Sequence, residues 1–390
     1  MKLKVGLEKL VEEKIDILKN QRIGLLVHQP SVTFELDHAV TILNDRPEVN
    51  LTTVFGPQHG IWGETQDNMI EWESYTDPRS GLPFYSLYGK TRKPSPEMLE
   101  NVDTMVIDLQ DVGSRYYTYI YTMALTMEAC AELGKKVVVL DRPNPINGTA
   151  TEGPVLDPDF KSFVGLYPIP VRHGMTCGEL ALFFNSECGI GCELEVVAMD
   201  NWNRESYFTD TGFPWVIPSP NMPSTPTAMV YPGMCLLEAT NVSEARGTTL
   251  PFELSGAPWI KDPHQFAERL GEFNLPGLIL RPLFFIPTFH KWKDELIGGV
   301  QIHVTDRHRF KPFLTGLAMI SAYREFGRDQ FQWNPPPYEY EYNLLPFDIL
   351  AGTDLIRRRI EEGRPLSEIE NAWQSALIEF RKKREVYLLY

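Results

Sequence analysis

The sequence lacks the short motifs that mark the common nucleotide-binding and serine-hydrolase folds. Gly56, Gly60 and Gly63 do not spell GxGxxG, and neither a GxxxxGK[ST] loop nor a GxSxG elbow occurs. There is also no CxxC pair. The five cysteines are Cys130, Cys177, Cys188, Cys192 and Cys235. These absences argue against an NAD or ATP site, a serine hydrolase and a disulfide framework, and they favour free thiols in a reducing compartment.

Long apolar runs and an excess of basic residues are missing as well. No stretch approaches the length of a membrane-spanning helix, and the first residues carry acids where a signal peptide would be apolar. A cytoplasmic protein without a membrane partner is expected, with an exported precursor trimmed of its leader as the alternative. The formal net charge of -15 argues against nucleic acid, whose phosphates need clustered Lys and Arg.

What the chain does contain is the length and composition of an ordinary globular protein. Its 390 residues, 43% of them hydrophobic and 23% charged, are enough for two domains with cores of their own. Short apolar runs predict strands over 21–29, 51–55, from Met105, over 136–140 and over 194–199. Helical spacing falls between them at 32–43, 114–133 and 177–187. This alternation predicts an α/β fold, a Rossmann-like domain over 1–228 with a mainly parallel sheet.

The second part of the chain has a different pattern. Prolines crowd the segment 214–232, which predicts an irregular crossing or a domain boundary. Beyond it, strands are predicted over 278–289 and 300–305, and helices over 311–326 and from Ser367 to about Lys383. We therefore expect a smaller mixed α/β domain over 229–390 that closes over a cleft.

Polar side chains follow each of the first four predicted strands. His28 ends the first strand, Gln58 and His59 the second, Asp108, Gln110 and Asp111 the third, and Asp141 and Asn144 the fourth. Because the ends of parallel strands share one edge, these groups should converge there as a ligand site. The alternative is that Asp108 and Asp111 only cap the following helix.

The mixture of acids, amides and aromatic residues suits a sugar ligand, because flat rings pack on sugars while acids and amides bind hydroxyls. Glycoside cleavage usually needs one carboxyl as proton donor and a second group at the anomeric carbon, although a substrate N-acetyl group can replace the second. The candidate carboxyls are Glu64, Asp108, Asp111, Glu179 and Glu238. For Glu179 a capping box with Thr176 is the favoured interpretation.

Other roles stay open for several of these residues. His59 and His173 are an acid/base pair, metal ligands beside the aspartates, or, as is commoner, histidines held by a backbone carbonyl. Cys188 with Cys192 is a further possible pair or metal site. Glu244 and Arg246 form either a solvated loop pair or part of the cleft. An arginine at 115 or 246 would suit a substrate carboxylate.

Six ordered motifs resemble the exo-β-N-acetylmuramidase family. They are FGPQHGIWGE, DLQDVGSRYYTY, LDRPNPING, HGMTCGELALFFN, PSPNMP and YPGMCLLEATNVSEARGTTLPFE. The resemblance covers nearly the whole chain. It implies a Rossmann-like domain, a smaller C-terminal domain, a site in the cleft between them, and release of β-linked N-acetylmuramic acid from the non-reducing ends of peptidoglycan fragments. The lactyl carboxylate of that sugar would give Arg115 or Arg246 a partner.

Two departures from the family pattern bear on catalysis. The family commonly reads PEHG where this chain has Gln58, and an amide cannot donate a proton as an acid does. Many relatives carry Thr-Asn where this chain has His28 and Gln29. Either Glu64 or Asp108 then takes over the acid role, or activity differs from that of the family.

The resulting hypothesis is a glycosidase with Glu64, Asp108 and His59 as catalytic residues, without cofactor or metal. The predicted substrate-binding residues are Gln58, Gln110, Asp111, Arg115, Tyr119, Asn144, His173, Asn221, Glu238, Asn241 and Arg246. On this hypothesis Asp108→Asn lowers turnover strongly with little loss of stability. The alternatives are a non-catalytic muropeptide-binding protein and a metal-dependent hydrolase.

Overall fold

The structure is a computed structural model, and it describes residues 2–63, 65–66 and 69–390. Across these residues the strands are β1 (Arg22–Val27), β2 (Asn50–Gly56), β3 (Tyr75–Thr76), β4 (Pro83–Ser86), β5 (Thr104–Asp108), β6 (Lys136–Leu140), β7 (Glu152–Val155), β8 (Pro170–Arg172), β9 (Leu194–Val197), β10 (Leu254–Ala257), β11 (Leu278–Phe285) and β12 (Ile297–Val304). The α-helices are α1 (Gly6–Lys9), α2 (Ala39–Asn44), α3 (Tyr119–Glu132), α4 (Cys177–Glu187), α5 (Thr225–Met234), α6 (Pro263–Gly271), α7 (Pro312–Gly327), α8 (Pro346–Ala351), α9 (Leu355–Glu361), α10 (Leu366–Asn371) and α11 (Gln374–Arg384). Among these helices, none is long and apolar enough to cross a lipid bilayer.

The described residues of the first part form a seven-stranded sheet in the order β3-β4-β2-β1-β5-β6-β9. Its strands pair in parallel except β3, which runs antiparallel to β4. The chain moves outward from β1 to β2 and β4, then returns to β5 on the other side of β1. The strand order therefore reverses between β1 and β5, where Val27 is the register partner of Asp108. The predicted α/β fold is confirmed.

Alternate side chains of the central strands pack into two separate hydrophobic cores on opposite faces of the sheet. Leu25 and Val106 belong to one core, and Leu26 and Ile107 belong to the other. The strands read as nearly continuous apolar runs because both of their faces are buried.

The second part contains a three-stranded antiparallel sheet, β10-β12-β11, within the described residues. Its hydrophobic residues, including Phe266, Leu317 and Tyr323, belong to the same core as Leu26 and Ile107 of the large sheet. The smaller α/β part thus shares a core with the first part.

Helix α5 joins the two parts and corrects one prediction. The proline-rich segment was expected to be irregular, but α5 forms because Pro226 lies in its first turn, where no backbone N–H is needed, and Ser224 caps it by accepting from Thr227 N at 3.2 Å. The predicted boundary after residue 228 falls inside this helix.

Helices α5 and α7 cross with their backbones in direct contact. A Cβ atom at Gly233 would overlap the carbonyl oxygen of Pro312, and a Cβ atom at Gly316 would overlap the carbonyl oxygen of Gly233. Glycine is required at both positions because any side chain would push the two helices apart.

Three helix predictions were wrong in their bounds. The segment before α2 forms a turn and not a helix, and Thr33 N donates to the Asp37 carbonyl. In the segment before α3, Ser114 forms a bridge with Arg172 and Tyr117 N then donates to the Ser114 carbonyl in a turn, so α3 begins later than expected. The last predicted helix, expected from Ser367, is broken into α10 and α11, and α10 has Pro365 at its N-cap.

Candidate active site

Two adjacent cavities lie where the first and second parts of the chain meet. The inner cavity, of about 40 Å³, is bordered by the loop after β2, the start of α3, the loop before α5 and the segment after it. The outer cavity, of about 540 Å³, is bordered by residues of the second part together with Met69. Four side chains line both cavities and form what we call the shared wall: Glu238, Arg246, Tyr338 and Glu339.

The loop after β2 brings Gln58 and His59 to the inner cavity. His59 has a φ of 70°, which turns the chain sharply at this point. The Gln58 side-chain oxygen accepts a hydrogen bond from Thr118 Oγ1 at 3.0 Å, just before α3. His59 Nδ1 donates to the Thr65 carbonyl at 2.7 Å, because a carbonyl oxygen can only accept. Both side chains are thereby oriented at the cavity.

Aromatic rings supply most of the remaining wall of the inner cavity. Tyr117 and Tyr119 pack edge to face, with ring centroids 4.8 Å apart, and Tyr231 packs similarly against Phe252. The Tyr119 hydroxyl donates to the Pro218 carbonyl at 2.7 Å. Asn221 also lines this cavity, and its amide donates to the Gln66 carbonyl at 3.3 Å. Apolar ring faces beside amides match the mixed surface of a sugar.

Glu238 and Arg246 form a buried ion pair in the shared wall. Arg246 Nη2 donates to Glu238 Oε1 at 2.9 Å, and the Tyr338 hydroxyl donates to Glu238 Oε2 at 2.8 Å. Arg246 Nη1 donates to Glu244 Oε1 at 3.2 Å. The sequence predicted Glu238 and Arg246 as site residues, and the structure brings both of them to the cavities.

Glu244 lies behind the wall and contacts three basic side chains that line the outer cavity, Arg246, His290 and Lys291. Lys291 donates to it at 2.8 Å, and His290 Nδ1 lies 3.2 Å from it. Burial raises the pKa of Glu244, but Lys291, His290 and Arg246 around it together hold the pKa well below the ordinary value. Glu244 is therefore a carboxylate that fixes the position of these three side chains.

Glu339 is a carboxyl of the shared wall that the sequence reading missed. Its Oε2 accepts a hydrogen bond from the Tyr88 hydroxyl at 2.7 Å. Burial raises the pKa of Glu339 above its ordinary value, and the nearby charge of Glu238 adds to the increase. The available signal was the run Tyr338 to Tyr342 after three prolines, in which acids alternate with tyrosines.

Asp108 lies away from both cavities, in the crevice where the strand order reverses. It is fully buried, and Arg142 contacts its two oxygens through Nε at 2.5 Å and Nη2 at 2.8 Å. The Asp108 carbonyl accepts from Ser31 Oγ, and the His28 ring accepts from Gln110 N at 3.1 Å. This crevice is filled by the chain's own side chains, so the structure does not bring Asp108 to a ligand surface.

Asp111 and His173 contact each other beside that crevice. His173 Nε2 lies 3.1 Å from Asp111 Oδ2, which also accepts from Gly113 N at 2.6 Å. Neither aspartate caps α3, because α3 begins at Tyr119, after Thr118. The capping interpretation of Asp108 and Asp111 is therefore wrong, whereas the capping box of Thr176 and Glu179 on α4 is confirmed.

Three more predicted site residues form hydrogen bonds to backbone carbonyls within the fold. Arg115 is fully buried and donates to the carbonyls of Pro154, Ile169 and Leu350. Gln110 donates to two backbone carbonyls, and Asn144 donates to the Met175 carbonyl at 2.9 Å. Their substrate-binding roles stay predictions that this geometry does not favour, since the guanidinium of Arg115 and the amides of Gln110 and Asn144 already donate to backbone carbonyls.

Two predicted residues remain. Asn241 lines the outer cavity and donates to the Gln330 carbonyl at 2.8 Å. Glu64 lies outside the described residues. Among the residues that are described, no group of three or more His, Cys, Asp and Glu side chains is arranged as a metal site.

Comparison with known proteins places the chain in a family. The family model described as exo-beta-N-acetylmuramidase NamZ, N-terminal, matches residues 23–226, and the corresponding C-terminal model matches residues 229–390. The chain belongs to the NamZ exo-β-N-acetylmuramidase family. A NamZ relative, the peptidoglycan beta-N-acetylmuramidase of Bacillus subtilis (strain 168), is 47% identical over 389 residues, which cover 100% of this chain and 92% of the relative.

Two solved structures are also similar to the chain along its whole length. A DUF1343 family protein from Bacteroides fragilis NCTC 9343 superposes with a TM-score of 0.90 at 35% identity. A second DUF1343 protein from the same strain superposes with a TM-score of 0.79 at 30% identity. Each comparison covers 100% of this chain and 99% of the other. Both parts of the chain therefore have the fold of these two DUF1343 proteins.

Proposed function

We propose that the protein is a glycoside hydrolase that releases β-linked N-acetylmuramic acid from the non-reducing ends of peptidoglycan fragments. The observation that carries this proposal is the 47% identity, along the whole chain, to a peptidoglycan beta-N-acetylmuramidase. The two cavities support it independently, because they combine tyrosine rings, amides and carboxyls at one place.

The shapes of the cavities support an exo mode of action. The narrow inner cavity suits a group at the end of a ligand, and the wide outer cavity suits the rest of the fragment. The scissile bond would then lie at the shared wall, between Glu238 and Glu339 on one side and the loop of Gln58 on the other. Gln58, Tyr119, Asn221 and Asn241 border the path that the sugars would follow.

Arg246 is our candidate for contact with the lactyl carboxylate. It lines both cavities, whereas the Arg115 guanidinium already donates to three backbone carbonyls. Asp108 receives no catalytic role in this proposal, because its ion pair with Arg142 fills the crevice in which it lies. Glu64 stays a sequence-based prediction, and His59 stays one with a place at the cavity.

We further propose that the enzyme acts on small fragments in the cytoplasm. All five cysteines are free, and Cys130, Cys177, Cys192 and Cys235 are buried. Free thiols are typical of proteins from reducing compartments.

The activity is tested by incubating the protein with the disaccharide N-acetylmuramyl-β-1,4-N-acetylglucosamine and quantifying free N-acetylmuramic acid. Glu238→Gln should lower turnover at least about a hundredfold, because it breaks the charge balance of the shared wall. The matched control is Glu253→Gln, a carboxylate outside both cavities that accepts from Ser224 and Thr227 hydroxyls. Release that is equal in Glu238→Gln and wild type would place the reaction elsewhere.

A muropeptide-binding protein without activity is the second candidate, and Gln58 is the observation that favours it. An amide lines the inner cavity where the family commonly has an acid. Calorimetry with the same disaccharide separates the two candidates. Binding without product over a long incubation would support the sensor, and slow release of product would support the hydrolase.

A further inference from the structure

Glu339 occupies a position through which a substrate crossing from one cavity to the other would pass. It is 5% exposed and belongs to the shared wall. Glu238 lies on the same wall. In a substrate that lies along the outer cavity and places a terminal group in the inner one, the glycosidic bond would therefore run past two carboxyl groups.

The backbone that carries Glu339 is unusual. Tyr338 and Glu341 exchange two backbone hydrogen bonds of 2.9 Å, which close a two-residue turn. The φ angles of the two central residues, Glu339 and Tyr340, are 44° and 67°. Turns with positive φ at both central positions strongly prefer Asn-Gly, since larger side chains are strained there. Strain held at a cavity wall is the pattern expected when a side chain must point in a required direction.

The two oxygens of Glu339 have different surroundings. Oε2 accepts from the Tyr88 hydroxyl, whereas Oε1 has no hydrogen-bond partner anywhere in the described part of the chain. Tyr88 comes from the first part of the chain, and the Arg92 guanidinium lies 4.0 Å from its ring centroid. Burial raises the pKa of Tyr88, so this hydroxyl stays protonated and donates. One oxygen is anchored and the other remains for a ligand.

The hydrogen bonds and ion pairs of Glu238 differ from those of Glu339. Both of its oxygens accept hydrogen bonds, one from Arg246 and one from Tyr338. No cation forms an ion pair with Glu339 among the described residues. The charge of Glu238 raises the Glu339 pKa, and the charges of Arg92 and Arg246 lower it by less than burial raises it. Two neighbouring carboxyls whose environments differ in this way are the usual basis for an acid and its charged partner.

We propose that Glu339 is the catalytic proton donor of this enzyme, an assignment that rests on the hydrolase function proposed above. Glu339 gives its proton to the glycosidic oxygen while the bond between that oxygen and the anomeric carbon breaks. The fragment in the outer cavity leaves as an alcohol. The Glu339 carboxylate then takes a proton from the water whose oxygen bonds to the anomeric carbon, which restores the acid. Glu339 thus performs the chemistry that an amide at position 58 cannot.

The test compares two leaving groups. Glu339→Gln should lower kcat/KM about a thousandfold on the disaccharide, whose leaving sugar needs a proton. The same variant should lose less than about tenfold on 4-nitrophenyl β-N-acetylmuramide, because nitrophenolate leaves without one. The matched control is Glu341→Gln, two residues along the same turn, which should retain activity on both substrates. An equal loss of activity on both substrates, or no loss on the disaccharide, would overturn the assignment.

Inactivity of the wild type on both substrates would instead remove the hydrolase function itself, so the two failures are distinguishable. Should Glu339→Gln not fold, Tyr88→Phe supplies a second measurement. Its hydroxyl lowers the Glu339 pKa, so its removal should shift the basic limb of kcat/KM for the disaccharide to higher pH. An unmoved limb, or one that shifts to lower pH, would also overturn the assignment.

Discussion

Two polar regions of this molecule look alike in sequence and differ in structure. The first, which we call the closed crevice, lies where the strand order reverses and contains Asp108 and Arg142. The second is the shared wall, with Glu238, Arg246 and Glu339. Both hold buried carboxyl–guanidinium pairs. In the closed crevice the polar atoms point at one another, whereas in the shared wall they border two cavities.

The difference teaches that burial and charge do not by themselves mark a site. Open α/β sheets commonly bind ligands at the point of strand reversal. Here Arg142 occupies that point, with its Nη2 donating to the Val32 carbonyl as well as to Asp108. The ligand space is displaced toward the loop after β2 and the start of α3. The site is identified by polar side chains that border a cavity.

The largest expected effect comes from Asp108→Asn, and it reverses the expectation drawn from sequence. Loss of this carboxylate leaves the buried Arg142 unpaired, which should cost about 3–5 kcal/mol of unfolding free energy. Turnover per folded molecule should stay within about threefold of wild type. Urea unfolding followed by a rate measurement on the folded fraction checks both parts.

Asp103 offers a matched control for this prediction, because it lies at the other end of β5 and also pairs with an arginine. Its partner Arg22 donates to it at 2.7 Å, but both side chains are 43% exposed. Asp103→Asn should therefore cost less than about 1 kcal/mol. A large loss of turnover in folded Asp108→Asn would return Asp108 to the catalytic residues.

A smaller effect is expected at Glu152, which resembles Glu339 in burial but borders neither of the two cavities. Its Oε1 accepts from Leu314 N at 2.8 Å, and Oε2 has no partner within the described residues. Burial raises the pKa of Glu152 to about 7. The folded state therefore binds the Glu152 proton more tightly than the unfolded state does. The contribution of Glu152 to the free energy of unfolding is greatest at low pH and is lost as the pH rises through about 7.

Between pH 5 and pH 8 this group should lower the unfolding free energy by about 2 kcal/mol. Glu152→Gln mimics the protonated form and should flatten that decline without changing kcat. Urea unfolding of both proteins at several pH values provides the measurement. Parallel pH profiles for variant and wild type would show that Glu152 is charged in the fold. A fall in kcat would show that a raised pKa away from the cavities also affects catalysis.

The smallest effect is expected from Gln58→Glu. The side-chain oxygen that accepts from Thr118 is kept, and Glu339 already supplies the proton on our proposal. We expect kcat/KM on the disaccharide to change by less than about tenfold. Gln58→Leu, which removes the amide, separates loss of hydrogen bonding from gain of charge. A hundredfold gain in Gln58→Glu would show that the missing acid had disabled the site.

Sequence patterns were sufficient for most of the fold. β6 and α4 have the bounds expected for them, because an apolar run and a helical segment with a capping box each leave few alternatives. The error at α5 arose because proline was treated as a helix breaker, although Pro226 lies in the first turn, where proline is compatible with a helix, and Pro232 is accommodated inside the same helix.

The site was only partly predictable. Gln58, His59, Glu238 and Arg246, which stay predicted site residues, line the cavities, and their signal was the polar clusters that follow an apolar strand and the proline-rich segment. The side of a strand end to which a carboxyl points depends on distant partners, such as Arg142 for Asp108. Glu339 was missed for the same reason, since its burial depends on Tyr88, 251 residues earlier in the chain.

The glycine crossing of α5 and α7 also determines how relatives could recombine. A chimaera joined at residue 228 would take α5 partly from each parent, and Gly233 and Gly316 are required together where the two helices touch. Exchanges that move α5 and α7 as one block keep this contact intact. We therefore expect family members to differ mainly in the loops that border the cavities, and not to arise by exchange of their N-terminal and C-terminal parts.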